Sequence, residues 1–200
     1  MVKIIFATNN IHKLREIRSL VSDNINIFSL KDAGIITEIP EDYETLEENA
    51  LQKARFIFDR TGTDCFADDT GLEVEALNGE PGVYSARYSL MGDLQFPEME
   101  ISEGNIHKLL LKLRNTKNRK ARFRTVISLI LNNQEFKFEG VAEGSILRGP
   151  RGKSGFGYDP IFLPEGSELS FAEMSLLEKN RLSHRGKAVE NLVNFLNQHG

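Results

Sequence analysis

The chain has 200 residues, 40% of them hydrophobic and 27% charged, with a formal net charge of −4. That length suits one domain spanning residues 1–200, built as two lobes sharing a sheet, with enough apolar side chains for a sizeable core. The acidic balance argues against a nucleic-acid coat protein, which is normally basic, but leaves room for a small polyanion bound at a locally basic site.

In chain order, Lys3 to Thr8 is a β-rich apolar run ending at Asn9-Asn10, a turn signal. This start turns polar too soon for a signal peptide or a membrane span, so a cytoplasmic protein without membrane attachment is expected. Ile11 to Val21 has helical spacing through Leu14, Ile17, Leu20 and Val21. A strand–turn–helix unit of this kind presents backbone N–H groups at the helix start, where anions are favoured. Ile25 to Leu30 reads as a second strand, followed by an acidic irregular stretch from Lys31 to Tyr43. Thr45 and Glu48 make a capping box for a helix reaching about Asp59, with Leu46, Ala50, Ala54, Ile57 and Phe58 inward and Thr61-Gly62 as its stop. Asp64 to Ala67 reads as a buried strand that emerges at Asp68-Asp69. Cys65, the only cysteine, lies within it and reads as a strand residue rather than a nucleophile; no disulfide framework or cysteine-based zinc site is available.

Gly71 to Tyr88 carries three glycines and a proline and predicts a short element followed by an ordered loop. Asn105 to Arg114 is an amphipathic helix. Ala121 to Leu131 and Glu135 to Glu143 are strands joined at Asn132-Asn133, a hairpin signature. Ser175 and Glu178 suggest another capping box, and a last helix runs from about Gly186 to Gln198. There is no internal repeat, low-complexity tract or linker. Early alternation of helix and strand with a central hairpin predicts an α/β fold with a mixed sheet.

Five places could carry chemistry. The segment Gly149 to Pro164, GPRGKSGFGYDPIFLP, combines four glycines with Arg151, Lys153, Phe156, Tyr158 and Asp159. Such residues can stack a planar ring, read its edge and lie near an anion, which points to a nucleotide; they can equally form a turn with no ligand. Asp68-Asp69-Thr70-Gly71 follows a buried strand, where α/β folds place their sites. Adjacent strand residues point to opposite faces, so one carboxylate can serve a site while the other makes a structural hydrogen bond. Such oxygens suit Mg2+, which takes one or two carboxylates plus phosphate oxygens, and also suit an Asx turn. Acids are dense from Glu38 to Glu48, and spacing does not choose among them. Lys13 on the first helix has Thr8 and Asn10 nearby, without a Walker pattern, and Lys179, His184 and Arg185 cluster within EKNRLSHRGKA as either a surface patch or a wall of donors.

Five ordered stretches together resemble the inosine triphosphate pyrophosphatase family: ATNNIHKLREI, EENALQKA, ADDTGLEVEALNGEPGVYSARY, PRGKSGFGYDPIF and AEMSLLEKNRLSHRGKA. The resemblance covers nearly the whole chain. It implies a two-lobed α/β fold with a long mixed sheet flanked by helices and an active-site cleft between the lobes. It also implies a homodimer and Mg2+-dependent hydrolysis of non-standard purine nucleoside triphosphates (ITP, dITP, XTP) to monophosphate and pyrophosphate. Carried over by position, Thr8, Asn9, Asn10, Ile11, His12 and Lys13 would hold the phosphates, with Lys53 also reaching them. Asp69 would be the acid–base group and a metal ligand, and Thr70 would contact substrate. Glu41, twelve residues before Lys53 as in relatives, would be the second metal ligand, with Glu44 in reserve. Phe156, Gly157, Tyr158 and Asp159 would sandwich and read the base, and Lys179, His184 and Arg185 would complete the base and sugar–phosphate contacts. Asn9 stands where many relatives have glycine and Thr70 where serine is frequent; residues 89–100 match no usual loop. A sensor that binds the nucleotide without chemistry, or a pyrophosphatase for another modified nucleotide, are the alternative readings, and no nucleic-acid partner is expected.

Overall fold

Asn132 and Asn133 both adopt left-handed backbone, at φ 51° and 63°, the twist that a two-residue hairpin requires. They join β5 (Lys120–Leu131) to β6 (Gln134–Ile146), as the sequence predicts. The computed structural model describes residues 2–21 and 24–199. Before the hairpin come β1 (Val2–Phe6), α1 (Ile11–Arg18), β2 (Ile25–Phe28), α2 (Leu46–Thr61), β3 (Cys65–Val74), β4 (Pro81–Gly82) and α3 (Ile101–Lys112). After it come β7 (Phe162–Pro164), α4 (Leu176–Leu182) and α5 (His184–His199). Among the described residues, seven strands form one sheet in the order β2-β1-β3-β5-β6-β7, with β4 paired to β3. β1 pairs in parallel with β2 and β3, whereas β4 and β7 pair antiparallel with β3 and β6. The expected mixed α/β architecture is therefore present.

Local signals set most helix ends. Thr45 caps α2 by accepting from the Glu48 amide, and Gly62 closes it in left-handed conformation at φ 59°. Ser175 and Glu178 form the full capping box of α4. The sequence reading starts α3 at Asn105; the helix begins at Ile101 because the Glu100 carboxylate accepts from the Ser102 and Glu103 amides. β3 also departs from expectation. It does not end at Ala67 but continues to Val74, since β4 supplies ladder partners at Leu72 and Glu73.

The chain divides into two compact units: residues 1–69, 125–140 and 184–200, and residues 70–124 and 141–183. In the first unit, one sheet face places Ile4, Phe6, Phe66, Ile127 and Leu129 against Leu14 and Ile17 of α1 and Val189, Leu192 and Leu196 of α5. The other face places Ile5, Ala7, Cys65, Ala67 and Ile130 against Ala54 and Ile57 of α2. Cys65 is fully buried there, its thiol pushed up to about 12 by desolvation, as suits an inert core residue. The second unit gathers Leu72, Tyr88, Leu109, Phe123, Phe162 and Phe171 into its own core. Among the described residues, no helix is long and apolar enough to cross a membrane.

Helix α5 begins two residues before its expected start and lies directly on the β6 backbone. A Cβ at Gly140 would stand 2.0 Å from the His184 carbonyl oxygen and 2.5 Å from the Ala188 nitrogen. Gly140→Ala is therefore expected to destabilise the protein by roughly 1–3 kcal/mol in urea denaturation. Gly149→Ala, whose Cβ meets nothing within 4 Å, should stay within about 0.5 kcal/mol of the parent. Equal stability of the two variants would contradict this packing.

Candidate active site

Strand alternation decides the site. Phe66 faces α1 and α5, whereas Cys65 and Ala67 face α2. Asp68 and Asp69 continue that alternation, so their carboxylates leave opposite faces of β3. Because β3 continues, both project from mid-strand rather than from its exit, and they are only 1% and 7% exposed.

On the first face, Lys13 Nζ reaches Asp68 Oδ1 at 3.0 Å, and Arg185 Nε approaches Asp68 Oδ2 at 3.4 Å. Arg185 Nη1 also pairs with the buried Glu16. Lys13 and Glu16 are three residues apart on α1, so Arg185 and Asp68 are held between two charges of one helix face. Burial would push the Asp68 carboxyl up, but Lys13 and Arg185 overcome it and hold the group at about 2. Burial lowers the Lys13 ammonium below its ordinary value, and Asp68 only partly opposes that. At the helix start, two amides that the sequence reading leaves open to an anion are engaged within the chain. Asn10 caps α1 and its Oδ1 accepts from the His12 and Lys13 amides at 2.9 and 3.2 Å, while Thr8 Oγ1 accepts from the Asn10 amide at 3.1 Å. Asn9 ties the following loop by donating to the Thr37 carbonyl at 3.1 Å. Ile11 and His12 are exposed at the start of the helix.

On the second face, Lys53 Nζ lies 3.0 Å from Asp69 Oδ1 and also pairs with Glu41. Glu44 is exposed, so of the two acids considered, Glu41 is the one brought to Lys53. Burial disfavours the charged form of Lys53, yet Asp69 and Glu41 more than offset it and raise its pKa. The Asp69 carboxyl is raised by burial and by the nearby Glu41, against the pull of Lys53 and Lys13. Asp69 is thus the more basic of the adjacent acids. Asn49 is a contributor that sequence reading missed: it is 1% exposed and donates from Nδ2 to Asp69 Oδ2 at 3.3 Å. Its signal was a polar residue on the inward face of α2, four residues before Lys53. Two carboxylates that meet one ammonium are placed to share a cation. Among the described residues no group of three or more His, Cys, Asp or Glu side chains gathers to hold a metal. A two-carboxylate oxygen set does fit Mg2+, which keeps waters and takes phosphate oxygens.

In the second unit, Asp159 and Lys179 form a buried pair, with Nζ 2.6 Å from Oδ2. The same Oδ2 accepts from the Phe156 amide at 2.8 Å. Gly155 is required here: at φ +77°, its Cβ would fall 2.1 Å from Asp159 Oδ2. Lys179 Nζ lies 5.0 Å from the centre of the half-buried Phe156 ring. Tyr158 turns into the core and donates its hydroxyl to the Ser85 carbonyl at 3.0 Å, leaving Phe156 as the more open aromatic face. Gly157 takes positive φ between them, and Thr70 is half-buried in β3. Arg151 pairs with Glu173 at 2.9 Å and does not stand as a loose cation. His184 opens α5 and is buried in the first unit, as is Arg185.

A family model described as the Ham1 family matches residues 4–195. A protein named dITP/XTP pyrophosphatase from Porphyromonas gingivalis is 51% identical, covering 98% of both chains. One of the same name from Flavobacterium johnsoniae is 48% identical, again covering 98% of each. A solved HAM1 protein structure from Coxiella burnetii has a TM-score of 0.86 at 38% identity, covering 99% of this chain and 100% of that one. The chain belongs to the Ham1 family, and the resemblance read from its five motifs is borne out.

The Asp68 pairing has a pH signature. Folding lowers this carboxyl from 3.8 to about 2, so its stabilisation is full above the unfolded pKa and is lost as pH falls through 4 towards 2. Asp68→Asn removes that term, strands Lys13 and leaves Arg185 with Glu16 alone, costing roughly 3–5 kcal/mol at neutral pH. The stability gap between parent and variant should narrow by about 1 kcal/mol between pH 6 and pH 3. Denaturation at both pH values checks this, and an unchanged gap would refute it.

Proposed function

We propose that this Ham1-family chain hydrolyses non-canonical purine nucleoside triphosphates (ITP, dITP and XTP) to monophosphate and pyrophosphate, with Mg2+. The observation that carries the reading is the pair of carboxylate–cation clusters set back to back on β3. It stands in a chain 51% identical to a protein named dITP/XTP pyrophosphatase. The cytoplasmic location and homodimer implied by the resemblance belong to the same reading.

The chemistry is attack of a water oxygen on the α-phosphorus. A new P–O bond forms, the bond from that phosphorus to the bridging oxygen breaks, and pyrophosphate leaves. Mg2+, held by Glu41 and Asp69, would neutralise phosphate oxygens. Lys13 and Lys53 add positive charge where negative charge develops. Asp69, its pKa raised by burial, accepts the proton of the attacking water. Asp68 stays ionised and keeps Lys13 oriented.

The second unit supplies chemistry suited to a base. Phe156 offers a stacking face, and Lys179, fixed by Asp159, offers a donor beside it. Hypoxanthine and xanthine accept at the 6-keto oxygen, whereas adenine donates from a 6-amino group. A donor facing that position would favour the former by about ten- to a hundredfold. Arg185, occupied by Asp68 and Glu16, acts in this reading by holding Asp68.

Pyrophosphate release from ITP and XTP is expected to be fast with Mg2+ and to fall to background on chelation, with GTP and ATP turned over slowly. Asp69→Asn should lower turnover of ITP by roughly a hundredfold or more while retaining nucleotide binding. Full activity in that variant would end the Asp69 assignment. Binding of ITP without release by the parent would favour a sensor instead.

A further inference from the structure

The segment carrying Glu41 has neither helix nor strand structure, yet its acid stands at Lys53 beside Asp69. One edge of α2 explains this. Asn49 Oδ1 accepts from the Tyr43 amide at 2.9 Å, and its Nδ2 donates to the Tyr43 carbonyl at 3.0 Å. This reciprocal pair mimics one rung of a β-ladder, with a side chain in place of a strand. Gln52 Oε1 accepts from the Asp42 amide at 3.0 Å, and its Nε2 donates to Asp42 Oδ2 at 2.7 Å. Lys53 pairs with Glu41. Residues spaced by three and four share a helix face, so positions 49, 52 and 53 grip residues 43, 42 and 41 in turn.

Asn49 does more than hold the loop. Its Nδ2 also donates to Asp69 Oδ2 at 3.3 Å, while Lys53 takes Asp69 Oδ1 at 3.0 Å. The Asp69 carboxylate is therefore held from both sides, and Asn49 links it directly to the loop bearing Glu41. The Asn49 amide donates twice from its nitrogen and accepts at its oxygen, a set that a short hydroxyl side chain with one hydrogen does not match. An acid at this position would repel Asp69, and an apolar residue would leave buried polar groups unpaired.

We propose that Asn49 is a positioning residue for the divalent cation. By pinning Tyr43 and Asp69 together, it sets the separation and orientation of the Glu41–Asp69 pair, and Gln52 supports it from the solvent side. The proposal rests on the reading that Glu41 and Asp69 hold the cation. Residues that orient metal-binding carboxylates typically change metal affinity by about ten- to a hundredfold when removed.

The test is Mn2+ binding to the full chain, read from the electron paramagnetic resonance of free Mn2+, in the parent and in Glu41→Gln, Asn49→Ala and Gln52→Ala. Thermal melting accompanies it. Asn49→Ala and Glu41→Gln should each weaken Mn2+ binding by about ten- to a hundredfold. Gln52→Ala, at a half-buried site that does not endanger folding, should weaken it by about three- to tenfold. In turnover of ITP, Asn49→Ala should regain rate as Mg2+ is raised, because the ligands remain while their geometry is loosened. If Glu41→Gln binds Mn2+ as the parent does, the carboxylate-pair reading falls and takes the proposal with it. If Glu41→Gln is weakened but Asn49→Ala and Gln52→Ala stay within twofold of the parent, the pair stands and Asn49 is a structural residue only.

Discussion

Two adjacent acids on a buried strand must both find cations, and much of the first unit answers that constraint. A carboxylate removed from water loses several kcal/mol of solvation unless charge and hydrogen bonds replace it. Alternation along β3 gives Asp68 and Asp69 different direct partners, one set from each sheet face, although Lys13 and Lys53 are close enough to act on both acids. α1 and α5 bring Lys13 and Arg185 to Asp68, and α2 brings Lys53 to Asp69. The two environments push the acids apart in basicity: Asp68 is held at about 2, while Asp69 is raised. Neighbouring carboxylates with separated pKa values can divide labour between scaffold and chemistry.

The charges on the Asp68 face are coupled to backbone packing. Arg185 reaches Asp68 from the first turn of α5, and α5 reaches β6 because Gly140 has no side chain. Glu16 then balances Arg185, and its neighbour Lys13 on the same helix returns to Asp68. Signs alternate around this circuit, so every buried charge has an opposite neighbour. Removing one leaves another without compensation, which is why a network of this kind is held more rigidly than separate surface pairs would be.

The second unit uses the same device once more. Asp159 is buried, meets Lys179, and accepts from the Phe156 amide, so one acid orders both a cation and an aromatic ring. Lys108 is instead bonded to carbonyls: it is 3% exposed and donates to the Tyr88 carbonyl at 2.7 Å, fixing the turn that Asn105 also holds through the Ser85 and Ala86 carbonyls. Residues 85–91 therefore owe their order to α3. This accounts for a stretch whose sequence shows only a loop.

Local chemistry made the hairpin at Asn132-Asn133, the caps at Thr45 and Ser175, the stop at Gly62 and the inward stripes of α2 and α5 legible in the sequence, because each depends on residues within a turn or two of one another. Alternation likewise put Asp68 and Asp69 on opposite faces before any contact was known, and the five motifs in order identified the family. Tertiary structure decided the rest. β3 passes beyond Asp69 because β4 pairs with it, the amides at Asn10, His12 and Lys13 are claimed by Thr8 and Asn10, and Glu41 rather than Glu44 meets Lys53. Arg185 finds an acid 117 residues away, and Asn49 finds one 20 residues away. No spacing rule encodes such meetings, because they exist only once separate elements have docked on the two faces of the sheet.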